Sequence, residues 1–131
     1  MKQASISEVR DRVEQALARA QVPVGTHHWP AREGGEADQT PAIWVGQVPE
    51  GVTVEGLEVL IGLSSDPVII RTFAGVVTID RYPVRLVAHE GRYLTEALRA
   101  LADAFGNRMS APDVLQGTDK YPDQAVVTIT P

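Results

Sequence analysis

Two amphipathic helical patterns, one near each end of the 131-residue chain, place the strongest constraint on its fold. Apolar residues recur at intervals of three and four over residues 6–20 and again over 93–105, which predicts two helices with one apolar face each. Between them, alternating apolar and polar residues predict strands, and a sheet can cover both apolar faces. We therefore expect an α+β fold, with an antiparallel or mixed sheet of about four strands packed against the two helices in the order α-β-β-β-α-β.

Residue types at the helix ends agree with these boundaries. Ser5 followed by Glu8 forms a capping-box pattern, in which each side chain accepts a hydrogen bond from a free backbone N–H at the helix start. Pro23 stops the first helix, and Gly106 suits the left-handed conformation that ends many helices. The segment MSAPDVLQG predicts a further helical turn, with Pro112 at an early position.

Short apolar runs predict the strands of the sheet. They cover residues 42–48, residues 57–63 and the closing segment QAVVTIT. Between the second and the last of these, SSDP predicts a turn and VIIRTF a short extended run that ends at Ala74-Gly75.

Residues 23–41 have the composition of a loop. Three prolines and three glycines in PVGTHHWPAREGGEADQTP leave few aliphatic side chains to bury. A connection of this length in a compact domain is usually functional, or is ordered by a partner. We find no internal repeat, so residues 1–131 are expected to form a single α+β domain with this one long loop.

The segment VVTIDRYPVRLVAHEG changes phase in its middle. Apolar residues occupy odd positions up to Ile79 and even positions from Tyr82 onward, which either a hairpin at DRYP or one kinked strand would produce. A two-residue hairpin turn requires glycine or asparagine at positive φ, which DRYP lacks, whereas one extra residue inverts the faces of all later side chains. We therefore expect one bent strand from Val76 to about His89, irregular at 80–83, with an edge for a neighbouring subunit.

Histidines and carboxylates are the candidates for chemistry. His27 and His28, with Asp38 or His89, could supply nitrogen and oxygen ligands to a metal. Adjacent histidines on an extended chain point to opposite sides, however, and no HxH, HxxxH or HExxH spacing places two ligands on one face. The remaining carboxylates are expected on a solvated sheet face: Glu55, Glu58, Asp66 and Asp80.

Motifs of catalysis are absent from the sequence. There is no GxSxG elbow, no phosphate-binding glycine motif and no cysteine, so we expect no enzyme, no metal site and no cofactor. The net charge of −5 argues against wrapping of nucleic acid by the whole surface, and no apolar run approaches the length of a membrane helix.

Tryptophan and arginine, which are enriched at interface hot spots, indicate possible contact surfaces. Trp44 lies in an apolar strand and is expected in the core, whereas Trp29 either anchors the loop or contacts another subunit. Arg81, Arg85 and Arg92 either form a solvated face or pair with carboxylates of a neighbouring subunit. Our candidates for a subunit interface are Trp29, Arg81, Tyr82, Arg85 and His89.

Five segments, spread over most of the chain, follow one another in this order: QTPAIWVG, GLEVLIGL, GVVTIDRYPVRLVAHEG, YLTEALRALADAF and QAVVTIT. Their order and pattern resemble the tail-terminator and related neck proteins of long-tailed bacteriophages. The loop at 23–40 departs from that pattern. These families share no catalytic motif, so the resemblance concerns architecture.

The resemblance implies a structural virion protein. Such subunits form a ring, commonly a hexamer, that caps the tail tube, stops its polymerisation and provides the docking surface for the head connector. The implied partners are other copies of the chain, the tail-tube protein and the head-connector protein, with DNA passing through the lumen without specific binding and with no membrane. The implied location is the tail or neck of the virion, assembled in the host cytoplasm.

Two other classes remain open from the sequence. One is a small cytoplasmic ligand-binding domain or an enzyme with an unrecognised site, which a deep apolar pocket with convergent polar groups would favour. The other is an adaptor that binds its partner as a monomer. A protein that stays monomeric at high concentration would favour either of these over a ring.

Overall fold

The computed structural model describes residues 6–31, 35, 38–64 and 68–131 and has an α+β fold. The α-helices are α1, Ile6–Arg19, and α2, Leu94–Phe105. The strands of the first half are β1 Thr26–His28, β2 Gln39–Pro41, β3 Ile43–Val45, β4 Thr53–Glu55 and β5 Leu57–Ile61. The strands of the second half are β6 Val68–Thr72, β7 Gly75–Ile79, β8 Tyr82–Ala88, β9 Asp113–Leu115 and β10 Asp123–Ile129. The described residues thus form ten strands rather than about four.

The largest sheet is mixed and has the strand order β3-β5-β8-β10-β9. Only β3 and β5 are parallel; the other neighbours in this sheet are antiparallel. Both helices lie on one face of it, with α1 against β3 and α2 against β8 and β10. We call this the inner face of the sheet and the opposite one the outer face.

The core forms between the inner face and the two helices. In each strand every second side chain points to this face, so that Val59, Leu86 and Ala125 lie side by side and are buried. The predicted stripes of the helices cover them: Val9, Val13 and Leu17 from α1, and Ala97, Leu101 and Phe105 from α2. The structure therefore confirms the two amphipathic helices and the faces that they bury.

The ends of the helices agree in part with the expectations. Gly106 ends α2 with a φ of 54°, and its N–H donates to the carbonyl of Ala102, but its ψ of −124° differs from the left-handed helical conformation that the sequence predicted. The Ser5 capping box lies outside the described residues. The prediction of a helical turn in MSAPDVLQG is wrong, because Asp113–Leu115 of this segment form β9, which pairs with β10.

Part of the segment predicted as a loop at 23–41 forms a second sheet, with the order β2-β1-β4. A close approach joins this sheet to the first: the Gly25 N–H donates to the Leu57 carbonyl at 2.8 Å, and the Gly25 carbonyl accepts from the Ala42 N–H at 2.9 Å. A Cβ on Gly25 would lie 2.0 Å from the carbonyl oxygen of Glu55, so only glycine fits.

A third sheet consists of β6 and β7 alone, which form an antiparallel hairpin around the turn at 73–74. We call residues 68–79 the arm. All of its residues are exposed except the half-buried Ile79, and none contributes to the core. The arm leaves the large sheet after β5 and returns to it at β8.

The expected bent strand is interrupted at 80–81 and becomes two strands in two sheets. There is no chain reversal, because β7 pairs with β6 while β8 pairs with β5 and β10. The Ser64 hydroxyl accepts from the Arg81 N–H at 3.2 Å and lies 3.4 Å from an Asp80 carboxylate oxygen, so it stabilises the break. The expectation that this segment forms a sheet edge is wrong for β8, which is a central strand.

The other predicted strands of the large sheet are confirmed. The strands expected at 42–48 and 57–63 are β3 and β5 with shorter bounds, and QAVVTIT forms most of β10. No helix in the described ranges is long and apolar enough to cross a membrane.

Truncation of the α2 core should test this packing. Leu101 is fully buried beneath the sheet, whereas Leu98 on the same helix is only partly buried. We expect Leu101→Ala to lower the free energy of unfolding by about 2–5 kcal/mol, and Leu98→Ala to cost clearly less. Urea denaturation followed by circular dichroism measures both; equal losses would contradict the described orientation of α2.

Candidate functional site

A carboxylate and two histidines form a cluster on the outer face of the large sheet. Glu58 of β5 points to this face; one of its oxygens lies 2.6 Å from His27 Nε2, and the other lies 3.1 Å from His89 Nε2. His27 is fully buried and Glu58 nearly so, while the His89 side chain is 28% exposed. The prediction that Glu58 is solvated is therefore wrong, because β1 covers this end of the outer face.

The cluster connects three parts of the chain. His27 belongs to β1, Glu58 to β5, and His89 follows the end of β8. The His27 ring also lies edge-on to Trp44, with a centroid separation of 6.5 Å. Its Nδ1 atom is buried without a hydrogen-bond partner in the described structure, so the bond from Nε2 to Glu58 is the polar contact that holds the ring.

The neighbouring histidine points the other way, as the sequence predicted. His28 Nε2 lies 2.9 Å from a Glu55 carboxylate oxygen on the exposed side of the small sheet. Among the described residues no three histidines, cysteines or acids are placed to hold a metal ion. Both oxygens of Glu58 are already bonded and His27 has no access to solvent, so the cluster fixes the small sheet to the large one.

The two tryptophans lie against each other beside this cluster. Their ring centroids are 5.1 Å apart; Trp29 Nε1–H donates to the Thr40 hydroxyl, and Trp44 Nε1–H donates to the Gln47 carbonyl. Trp44 is half-buried rather than a full member of the core. Trp29 anchors its segment to the body of the domain, which is one of the two roles considered for it, and stays partly exposed.

The structure separates the other interface candidates along β8. Arg81 and Tyr82 lie at its start, Arg85 is exposed on the outer face, and His89 follows its end. Tyr82 is buried, so it offers little area to a partner. Burial raises the pKa of its hydroxyl above the ordinary 10.0, and the Asp80 carboxylate adds to the increase.

The arm is the most unusual surface of the molecule. Cross-strand pairing places four exposed or half-buried aliphatic residues on one of its faces, and the apolar face consists of Val68, Ile70, Val77 and Ile79. Phe73, at the tip, is fully exposed. Contiguous apolar surface of this kind marks an interaction site, and a two-stranded hairpin alone is marginally stable in water.

Sequence reasoning missed the arm as a site because it joined β7 and β8 into one bent strand at 76–89 and so assigned β7 to the main sheet. The signal was the composition of VIIRTFAGVVTI, which is apolar on both strand faces and contains a single charged residue, Arg71. Such a stretch normally indicates a buried strand, and only the pairing pattern shows that it is exposed.

Comparisons with known proteins add no relative. The sequence matches no protein-family model, and neither curated proteins nor solved structures gave a match.

Removal of the shared carboxylate should weaken the junction of the two sheets. Because Glu58→Ala leaves the buried His27 without its partner, we expect a loss of about 1–3 kcal/mol in the free energy of unfolding at pH 7. Glu55→Ala removes the corresponding bond to His28 at the surface and should cost no more than about 1 kcal/mol. Denaturant titrations measure the free energy of unfolding of both variants. Equal losses in Glu58→Ala and Glu55→Ala would show that the cluster does not hold the sheets together.

Proposed function

We propose that the chain is a structural subunit of the tail of a bacteriophage or a phage-like particle. Its copies assemble into a ring, commonly of six, that caps the tail tube, stops tube polymerisation and joins the tube to the head connector. DNA passes through the lumen without specific binding. The protein belongs to the neck of the virion, is assembled in the host cytoplasm, and acts through shape and surface rather than catalysis.

The apolar arm carries this proposal. A hairpin that exposes aliphatic side chains along one face, and phenylalanine at its tip, gains stability when another protein covers it. In a subunit that functions only within an assembly, neighbouring proteins cover such a face permanently. The order of sequence segments that resembles the tail-terminator proteins supports the same proposal.

A ring requires two different surfaces on each subunit, which meet head to tail. The arm supplies one surface that projects from the body. The free edges of the large sheet, β3 and β9, and the partly exposed Trp29 supply surfaces of a different kind elsewhere on the same subunit. This asymmetry favours a heterologous ring over a symmetric dimer.

The proposal predicts a closed oligomer that binds the end of a tail tube. Native mass spectrometry of the purified protein should give a single ring species, and electron micrographs should show annular particles. Co-expression with the tail-tube protein of the same genome should give tubes with a ring at one end. A protein that remains monomeric both alone and with the tube protein would contradict the proposal.

Polar substitution of the arm should reduce assembly without unfolding the domain. We expect the double variant Ile70→Thr/Val77→Thr to lower the proportion of oligomer by about tenfold or more, because threonine keeps the strand preference but removes apolar area. Far-UV circular dichroism of the variant should show the same secondary structure as the wild type, although the loss of assembly lowers its thermal stability. Tyr121→Ser changes an exposed aromatic residue outside the arm and serves as the control. If it lowered the proportion of oligomer as much as the arm variant, assembly would not depend on the arm.

A further inference from the structure

Strand β9 is an edge of the large sheet with unusual exposure. Its two apolar residues, Val114 and Leu115, are 51% and 58% exposed, and its other side in the sheet is paired with β10. Its outer backbone edge is free to accept another strand, the kind of edge that natural proteins cover or protect. Asp113 makes no ion pair within the described residues.

Strand β6 of the arm has a complementary sequence. Arg71 is the one charged residue of the arm and likewise makes no ion pair in the described part of the chain. An antiparallel alignment of Ile-Ile-Arg with Asp-Val-Leu places apolar residues opposite apolar residues and arginine opposite aspartate. The resulting pairs are Ile69 with Leu115, Ile70 with Val114, and Arg71 with Asp113.

Other pairings of the same segments are poorer. A parallel alignment would place Arg71 opposite Leu115 and leave Asp113 beside an isoleucine. The second strand of the arm offers no cation to Asp113 in any register, because β7 contains no charged residue. The antiparallel pairing of β6 with β9 is therefore the one that matches both apolar contact and charge.

The faces of the two strands also agree. Val114 lies opposite the buried Ala125 and so points to the inner side of the sheet, where a groove separates β9 from the start of α2. Most of its lining is polar and includes Arg92 and Glu96, and Leu94 lies beside Val114 in it. A strand added at β9 would direct Ile70 into this groove. Val77, which is opposite Ile70 in the hairpin, would follow on the same side of the extended sheet.

We infer that the arm of one copy adds to β9 of the next copy, with β6 antiparallel to β9 and Arg71 paired with Asp113. The inference rests on the proposed ring and specifies its subunit contact. The occupant of the β9 edge is thus a second copy of this chain, which extends the five-stranded sheet by the two strands of its arm. This is recognition by strand addition, in which backbone hydrogen bonds give affinity and alternate side chains give register.

Charge reversal tests the proposed pair. Arg71→Glu and Asp113→Arg should each weaken self-association by on the order of tenfold, because each places like charges opposite one another. The double variant Arg71→Glu/Asp113→Arg again places opposite charges against each other, with their positions exchanged. Its self-association should therefore be close to that of the wild type. Arg99→Glu, on the exposed side of α2, is the matched control and should change nothing. Analytical ultracentrifugation measures association, and far-UV circular dichroism verifies folding.

Cysteine pairing tests the register. The chain contains no cysteine, so Ile70→Cys and Val114→Cys can be introduced on separate molecules without interference. Opposed residues of antiparallel strands are close enough for a disulfide, and mixing the two variants under mild oxidation should give a crosslinked dimer. A mixture of Ile70→Cys with Arg99→Cys should not.

The outcomes separate this contact from the proposed function. If the wild type forms rings but charge reversal has no effect and the cysteines do not crosslink, the contact is wrong and the ring survives. If copies crosslink and associate without closing a ring or binding a tube, the contact stands and the neck function fails. If arm variants abolish binding of the tube protein but leave self-association unchanged, the arm binds the tube protein and the proposed contact between copies is wrong.

Discussion

Burial of the two helix stripes against one face of the five-stranded sheet is the interaction on which the rest of the structure depends. It uses the inner side chains of β5, β8 and β10 and leaves the outer face of the sheet to be covered by other means. One end of that face is closed by the small sheet, which is held by the Gly25 contacts and by the bond between His27 and Glu58. The remainder stays open, and Arg85 is exposed there. The molecule therefore has a fully packed core on the inner face of the sheet and an outer face that is only partly covered.

The sequence was most informative where a periodic pattern coincided with burial. The helices α1 and α2 could be predicted because each shows the spacing of one buried face. The strands β3, β5 and β10 could be predicted because each is a short apolar run, and the end of α2 because it coincides with a glycine. The lack of a glycine or asparagine in DRYP correctly excluded a hairpin between β7 and β8. The phase change near Asp80 could not reveal that β7 and β8 belong to different sheets, because the side-chain pattern of a strand does not identify the strands with which it pairs.

The small sheet and the cluster could not be predicted for a different reason. Residues 23–41 contain few aliphatic side chains, so the pairing of β1 depends on backbone hydrogen bonds and on a buried histidine, neither of which produces an apolar period. The charge of Glu58 likewise suggested solvent, since a buried carboxylate is recognisable only once its partners are in place. Candidates chosen by residue type, such as Tyr82, were then placed by tertiary contacts in the interior.

The arm belongs to a sheet of its own and lends no side chain to the core. Its sequence is therefore free of the packing constraints that apply to the rest of the chain, and the core is free of constraints from whatever the arm contacts. Relatives of this protein could differ strongly along residues 68–79 and still share one fold. Partner choice could thus evolve through a dozen positions while the domain that carries them remains unchanged.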